Sequence, residues 1–393
     1  MARGTAGRRL LFVAVCLTTL LVSAPSPTAQ SQAIRLALTG QAMIRSDVRI
    51  HAPDIASTIA PLLRGDVVFT NYEATVGEKA STGDRGFLSP PESLDALKAL
   101  GFNLLALSNN HSFDLNVSGI QNTLREVGRL NLAHAGIGNT IGEAAGAGYL
   151  RTPNGTVALI AMASGAVPDG GAATAARPGV NELRVDGGKT PNAEDARRIL
   201  QAIRAAHDRA DLVVVYQHNH VFDIPFGTIM SEELPERLVP PDWLKTWAKA
   251  EVDAGADVVV MHGAPLLHGV EIYRGRPIFY DLGNFIFQSP PTITMLDEPI
   301  IWESVVASVE FQGRMLRSVS FHPIAMNKIG DGQPDAHDPS TINLFLQTRG
   351  LPRPATGTQA HYILERLANL SRPFGTAIEI AGDTGAIRLP RER

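Results

Sequence analysis

The chain has 393 residues, 44% hydrophobic and 19% charged, enough to bury a sizeable core as one large α/β domain or two smaller ones. Its net charge is −4 and it has no long basic run, which excludes an extended nucleic-acid-binding surface. The single cysteine, Cys16, lies close to the N-terminus, which excludes disulfides and thiolate ligands from everything downstream.

Residues 1–30 have the layout of an export leader. Arg3, Arg8 and Arg9 precede an apolar run from Leu10 to Val22, followed by Ser-Ala-Pro-Ser-Pro-Thr-Ala. That run of 13 residues is short of the roughly 20 a membrane span needs, so a cleaved signal is expected rather than a stable transmembrane anchor. The expected location is periplasmic or secreted. Losing the three arginines leaves 32 basic against 39 acidic residues, a charge of −7.

Ala33 to Thr39 reads as a buried strand ending at Gly40-Gln41, and Ile55 to Leu63 as a helix. Asp66 to Thr70 is a second apolar strand, ending at Asn71-Tyr72-Glu73. Residues 77–90 read as a loop and Ser93 to Leu100 as a short helix closed by Gly101. Leu104 to Leu107 then runs into Ser-Asn-Asn-His-Ser-Phe-Asp, with a helical pattern from Ile120 to Leu130. Leu132 to Gly138 and Val157 to Met162 are further strand-like runs. Residues 163–190, rich in Gly, Ala and Pro, read as a long loop of a length that could cover a site. Ala193 to His207 is an amphipathic helix, and Asp211 to Tyr216 a strand ending at Gln217-His218-Asn219-His220. Asp242 to Ala254 is a helix with Trp243 and Trp247 on its core face, before a strand from Val258 to Met261 that ends at His262.

The pattern then changes from alternating strand and helix to strand after strand. Val270–Tyr273 with Pro277–Asp281, and Ser304–Phe311 with Met315–Pro323, read as hairpins. Residues 326–340 are polar, 358–370 helical, and Thr376–Ile380 with Ile387–Leu389 an edge pair. The expected organisation is a leader over 1–30, a main domain over 31–325, and an extension over 326–393 packing on that domain.

Five strands thus end in groups able to bind a metal. They are Gln41; Asn71 and Glu73; Asn110 and His111; His218 and His220; His262 and His268. An α/β sheet that aligns these ends gathers them at one rim. Imidazoles, one carboxylate and amide oxygens suit zinc, manganese or iron. His218 and His220, two apart, face the same side of an extended strand. Plainer readings stand beside these: Glu73 as a solvated turn residue, His268 as a hairpin hydrogen-bonding group, His134 as a core or rim histidine. Asn and Ser around position 109 are also ordinary turn formers.

With those segments in place, the chain resembles the CapA-type capsule-synthesis family, linked to poly-γ-glutamate capsules. The resemblance covers about residues 34–325. It rests on Asp66-Val67-Val68-Phe69-Thr70-Asn71-Tyr72-Glu73, on Ser108-Asn109-Asn110-His111-Ser112-Phe113-Asp114 with Gly119, and on His218 after its strand. It continues with His262, Gly269 to Gly275, and Tyr280-Asp281-Leu282-Gly283-Asn284-Phe285. The resemblance implies a calcineurin-like metallophosphoesterase fold, a four-layer αββα sandwich with mixed sheets. Two positions depart from the family pattern. Gln41 stands where the family has a ligand-like aspartate, and Pro265 where it has a final histidine.

Two functions follow as expectations. In the first, divalent metal (Mn, Zn or Fe), as a single ion or a pair, is held by Glu73, Asn110, His218 and His262, with Gln41, Asn71, His220 and His268 as further candidates. His111 acts at the leaving group, oriented by Asp114, on a phosphoester or an extracellular polymer such as poly-γ-glutamate. In the second, the same cleft holds polymer without cleaving it and works with capsule-assembly machinery. Arg274 and Arg276 are the cations near the motifs that such a polyanion would need.

Overall fold

Val67–Asn71, Leu104–Ala106 and Val258–His262 are buried at every position, which a strand achieves only where both faces of its sheet are covered. A computed structural model of the protein describes residues 33–77, 86–225, 228, 238–289, 298–330 and 347–389, with residues 1, 2 and 4. Apart from those three isolated positions, the expected leader lies outside the described residues. So do 78–85 of the 77–90 loop and 331–340 of the polar stretch.

The main strands begin with β1 (Ala33–Leu38), β2 (Gln41–Met43), β3 (Val67–Asn71), β4 (Leu104–Ala106) and β5 (Ala133–Ala135). Next come β6 (Gly148–Thr152), β7 (Gly155–Ser164), β8 (Leu212–Asn219), β9 (Val258–His262), β10 (Val270–Tyr273), β11 (Arg276–Phe279) and β12 (Asn284–Phe287). The last are β13 (Glu303–Gln312), β14 (Met315–Met326), β15 (Pro352–Pro354), β16 (Ile378–Ala381) and β17 (Thr384–Ile387). Among the described residues the longer helices are α1 (Glu92–Ala99), α2 (Asn116–Arg129), α3 (Ala193–His207), α4 (Asp242–Asp253) and α5 (Gly357–Ser371), with a shorter one over Ile55–Ile59.

A nine-stranded sheet runs in the order β16-β17-β14-β13-β1-β3-β4-β5, with β15 on the side of β14. Here β1, β3, β4 and β5 are parallel, while β13 and β14 are antiparallel. A six-stranded sheet runs β10-β11-β9-β8-β7-β6, with β7, β8, β9 and β11 parallel and antiparallel strands at both edges.

Alternate side chains from both sheets face each other. Leu36, Phe69 and Leu104 of the first share one apolar cluster with Leu159, Val214, Tyr216 and Val260 of the second. The outer face of the first sheet, through Val68 and Leu105, packs on Leu94 and Leu97 of α1 and on Ile120 and Val127 of α2. The outer face of the second, through Val213, Val215 and Met261, packs on Ile199 and Ile203 of α3 and on Trp243 and Trp247 of α4. The layers are therefore helix, sheet, sheet, helix, an αββα sandwich with mixed sheets. Burying each such Val, Leu, Ile or Phe contributes about 1.5–3 kcal/mol, which leaves the register of these strands little freedom to slip.

Local signals agree with the helices. Asn192 caps α3 by accepting from the Glu194 and Asp195 N–H groups, with acids in the first turn and Arg204 and His207 in the last. After β14 the chain stays with the same body. Ile363, Leu364 and Leu367 of α5 enter the core between the sheets, and β15, β16 and β17 extend the first sheet.

The stretch 163–190 is not structureless. Gly179–Val180 pairs with Ile137–Gly138, and Val185–Asp186 with Thr190–Pro191. Its ladder is irregular, with Ala163 N–H donating to Asn181 O at 3.0 Å and Leu183 N–H to Ala163 O at 2.8 Å. Pieces two residues long have no period to read. Thr75–Val76 and Leu88–Ser89 likewise pair across the 77–90 span. Among the described residues no helix is long and apolar enough to cross a membrane.

Candidate metal centre

Parallel strands all end on one side of their sheet, so β1, β3 and β4 deliver their following loops to the rim that β8 and β9 reach from the other sheet. Glu73, two residues past β3, is buried, and its Oε1 stands 3.7 Å from His218 Nε2 at the end of β8. His220 Nε2 lies 3.1 Å from the same His218 nitrogen, with the two rings 4.8 Å apart between centroids. One ligand atom from each of Glu73, His218 and His220 falls within 4.8 Å of the others.

Two nitrogens sharing one ion at ~2.0–2.1 Å stand roughly 3 Å apart, so this spacing suits adjacent ligands. A hydrogen bond between two imidazoles spans the same distance. What separates the two readings is the surplus of acceptors. Glu73 Oε2, Gln41 Oε1 and Asn110 Oδ1 are buried without a hydrogen-bond partner. Buried acceptors left bare cost about 1–3 kcal/mol each, and a cation at the rim relieves that cost where one more hydrogen bond would not. The residues present fit a divalent ion.

Burial sets the protonation states. It pushes the Glu73 carboxyl up to about 7, with His111's charge opposing and Asp114's adding. Burial drives His218 well below the usual histidine value and His220 down to about 3, so both rings are neutral, as ligands must be. His262 is held down to about 3 by burial, partly offset by the Thr39 backbone. Its Cα is paired in register with that of His218, and its ring lies 5.4 Å from that of Tyr216.

Other predicted ligands stand in different positions. Gln41 reaches the rim, but its Nε2 donates to Asn284 Oδ1 at 3.1 Å. The Asn71 side-chain oxygen already accepts from Asn109 Nδ2 at 3.0 Å, which leaves it less available as a ligand. His268 is not in the three-residue group, and its backbone N–H donates to Asp281 O at 3.1 Å. Pro265 offers only a backbone carbonyl, 3.5 Å from Asn284 Nδ2. His134 is a half-buried strand histidine with Nδ1 2.8 Å from Leu132 O.

His111 begins the turn after β4. Its N–H donates to Asn109 Oδ1 at 3.0 Å, and its Nδ1 stands 2.7 Å from Asp114 Oδ2. Burial disfavours its charged form, yet the Asp114 hydrogen bond and the charges of Glu73 and Asp114 outweigh that and raise its pKa. Asp114 Oδ2 also accepts the Phe87 N–H at 2.5 Å, which fixes the carboxylate behind the imidazole. The 163–190 segment runs alongside. Gly165 is packed so that a Cβ would come within 3.0 Å of the His220 carbonyl carbon, and Gly171 sits against the Phe113 ring.

Three supporting groups escaped the sequence reading. Asn109 ties Asn71 to His111. Asp281 is a buried carboxyl that accepts the Gly283 N–H at 2.7 Å. Tyr216 Oη lies 3.2 Å from His218 Nδ1. Tyr216 was recoverable, because residues two apart on a strand share a face. With Nε2 free to ligate, Nδ1 carries the proton and donates to Tyr216, which locks tautomer and ring angle. Tyr216→Phe is therefore expected to weaken divalent-metal binding about tenfold with little change in melting temperature, as metal titration and thermal melts would show. Unchanged affinity would remove Tyr216 from the site.

Four layers, with imidazoles and a carboxylate where the two sheets' strand ends meet, make this an α/β sandwich protein with a candidate metal centre. Within that class the chain belongs to the bacterial capsule synthesis family PGA_cap, whose model matches residues 35–289. An uncharacterized protein of Sinorhizobium fredii, y4sH, is 30% identical, covering 86% of this chain and 89% of its own. The PGA biosynthesis protein CapA of Bacillus subtilis is 29% identical, covering 62% of this chain and 59% of its own. The structure of the Haemophilus influenzae NAD nucleotidase aligns with TM-score 0.39 and 11% identity, over 79% of this chain and 54% of that one. That is too distant to bear on function.

Proposed function

We propose that this protein is an exported, metal-dependent hydrolase of capsule-polymer synthesis. Its substrate would be a phosphoester, or the amide link of an extracellular polymer such as poly-γ-glutamate. The observation that carries this reading is the buried group Glu73, His218 and His220, one carboxylate and two neutral imidazoles from opposite sheets. These three, with His262 paired in register with His218, would hold an Mn, Zn or Fe ion. When bound, the ion would supply a Lewis acid and a means of acidifying water.

The chain's own residues supply the rest. His111, its Nδ1 fixed by Asp114, is left with Nε2 to give a proton to the leaving group. Its raised pKa keeps it charged closer to neutrality. The Arg-then-apolar layout of residues 1–30 supports export, and family membership supports capsule-assembly machinery as the partner. Polymer binding without cleavage loses its two cations. Arg274 Nη1 is paired with Asp253 at 2.7 Å and Arg276 Nη2 with Asp257 at 3.2 Å.

The test is hydrolysis of a nitrophenyl phosphoester and a γ-linked glutamate oligomer before and after chelation. Stripping the metal is expected to cost roughly 10³-fold in rate, restored by Mn, Zn or Fe. Cleavage that survives chelation, or none under any loading, would overturn the proposal.

A further inference from the structure

Arg45 follows β2, the short strand that carries Gln41, and no role in the site described so far uses it. Its placement is specific. The backbone N–H donates to Gln288 Oε1 at 2.5 Å and the side-chain Nε to Gln288 O at 3.1 Å. Gln288 is itself fully buried, so this anchor is rigid. The guanidinium carbon lies 3.8 Å from the Phe87 ring centroid, a cation–π contact. The Phe87 ring is in turn 5.7 Å from the His111 ring, and the Phe87 N–H binds the Asp114 oxygen that orients His111. Arg45 and the acid–base pair are thus built onto one aromatic residue.

Among the described residues Arg45 makes no ion pair; both its hydrogen bonds go to Gln288. Burial lowers its pKa to about 10, with Asp114's charge pulling the other way, so it stays charged at neutral pH. A half-buried cation held by a ring and an amide, instead of by a carboxylate, retains its terminal N–H groups as donors. Arginine's planar fork matches phosphate or carboxylate oxygens in a way lysine's ammonium does not. When His111 is protonated, Arg45 repels its charge. Two cations on one ring are stabilised together when an anion lies beside them.

We propose that Arg45, seated on Phe87 and anchored by Gln288, is a specificity residue that receives an anionic group of the substrate, a phosphate or a carboxylate, beside His111. This rests on the hydrolase reading for its biological meaning, but the binding it claims is measurable without turnover.

The experiment uses the full-length protein loaded with manganese and titrated calorimetrically with two probes that offer no bond to cleave, inorganic phosphate and free glutamate. Arg45→Met keeps the packing on Phe87 and removes the charge. It is expected to weaken binding of one probe at least tenfold, while bound manganese and melting temperature stay at wild-type values. The probe that loses affinity identifies the source of the anion. Arg45→Lys should recover only part of the loss, because it restores charge without the fork. Equal affinities in wild type and Arg45→Met, or wild type that binds neither probe, would overturn the assignment. Loss of manganese from Arg45→Met would also overturn it, by making the residue a structural support of the metal centre. A wild type that binds a probe through Arg45 yet cleaves nothing would sink the hydrolase reading and leave this one standing.

Discussion

Replacing His218 with alanine should reduce bound divalent metal to below about a tenth of the wild-type level. His218 is the hub of the group. Its Nε2 faces both Glu73 Oε1 at 3.7 Å and His220 Nε2 at 3.1 Å, and its Nδ1 faces Tyr216. Removing it takes away the one side chain that touches the other two, and the remaining pair cannot close round an ion. Glu73→Gln should cost less, because an amide oxygen still coordinates but without charge. His218 is fully buried in β8, so its truncation also leaves a cavity, and a loss of stability of about 2–4 kcal/mol is expected. Elemental analysis of the folded fraction, defined by circular dichroism, separates the two effects. Folded His218→Ala protein with full metal content would move the centre elsewhere.

His111→Ala should lower kcat by about 10²–10⁴ while bound metal stays unchanged. The two readouts divide because His111 is not among the three clustered ligands and is tied to Asp114 at 2.7 Å. Asp114→Asn should show a smaller loss, since the ring remains but loses its orienting charge. If His111→Ala loses metal in step with activity, the residue is a ligand and not the proton donor.

Much of this arrangement was legible in the chain, for a physical reason. Strands covered on both faces read as unbroken apolar runs, so Val67–Phe69, Leu104–Ala106 and Val258–Met261 announce themselves. The helix Ala193–His207 has its period and its Asn192 cap in the sequence. The short parallel pair of β2 with β12 was not legible. It joins Gln41 to Asn284 across 243 residues, and three- or four-residue strands have no period. Among site residues, Glu73, His218 and His262 were visible as polar groups closing apolar runs. Their partition was not. That Glu73 meets His218 and His220, while His268 stands outside that group, depends on how two sheets stack. Arg45 gave no signal, because its meaning lies in Phe87 and Gln288, distant in sequence.

The central claim is that one divalent ion is held where the rims of the two sheets meet. Anomalous diffraction from crystals loaded in turn with Mn, Zn and Fe, recorded on both sides of each absorption edge, tests it most directly. The account predicts a peak within ~2.0–2.3 Å of the Glu73 carboxylate and of the Nε2 atoms of His218 and His220. Maps with no anomalous signal among those three side chains, for all three metals, would contradict it.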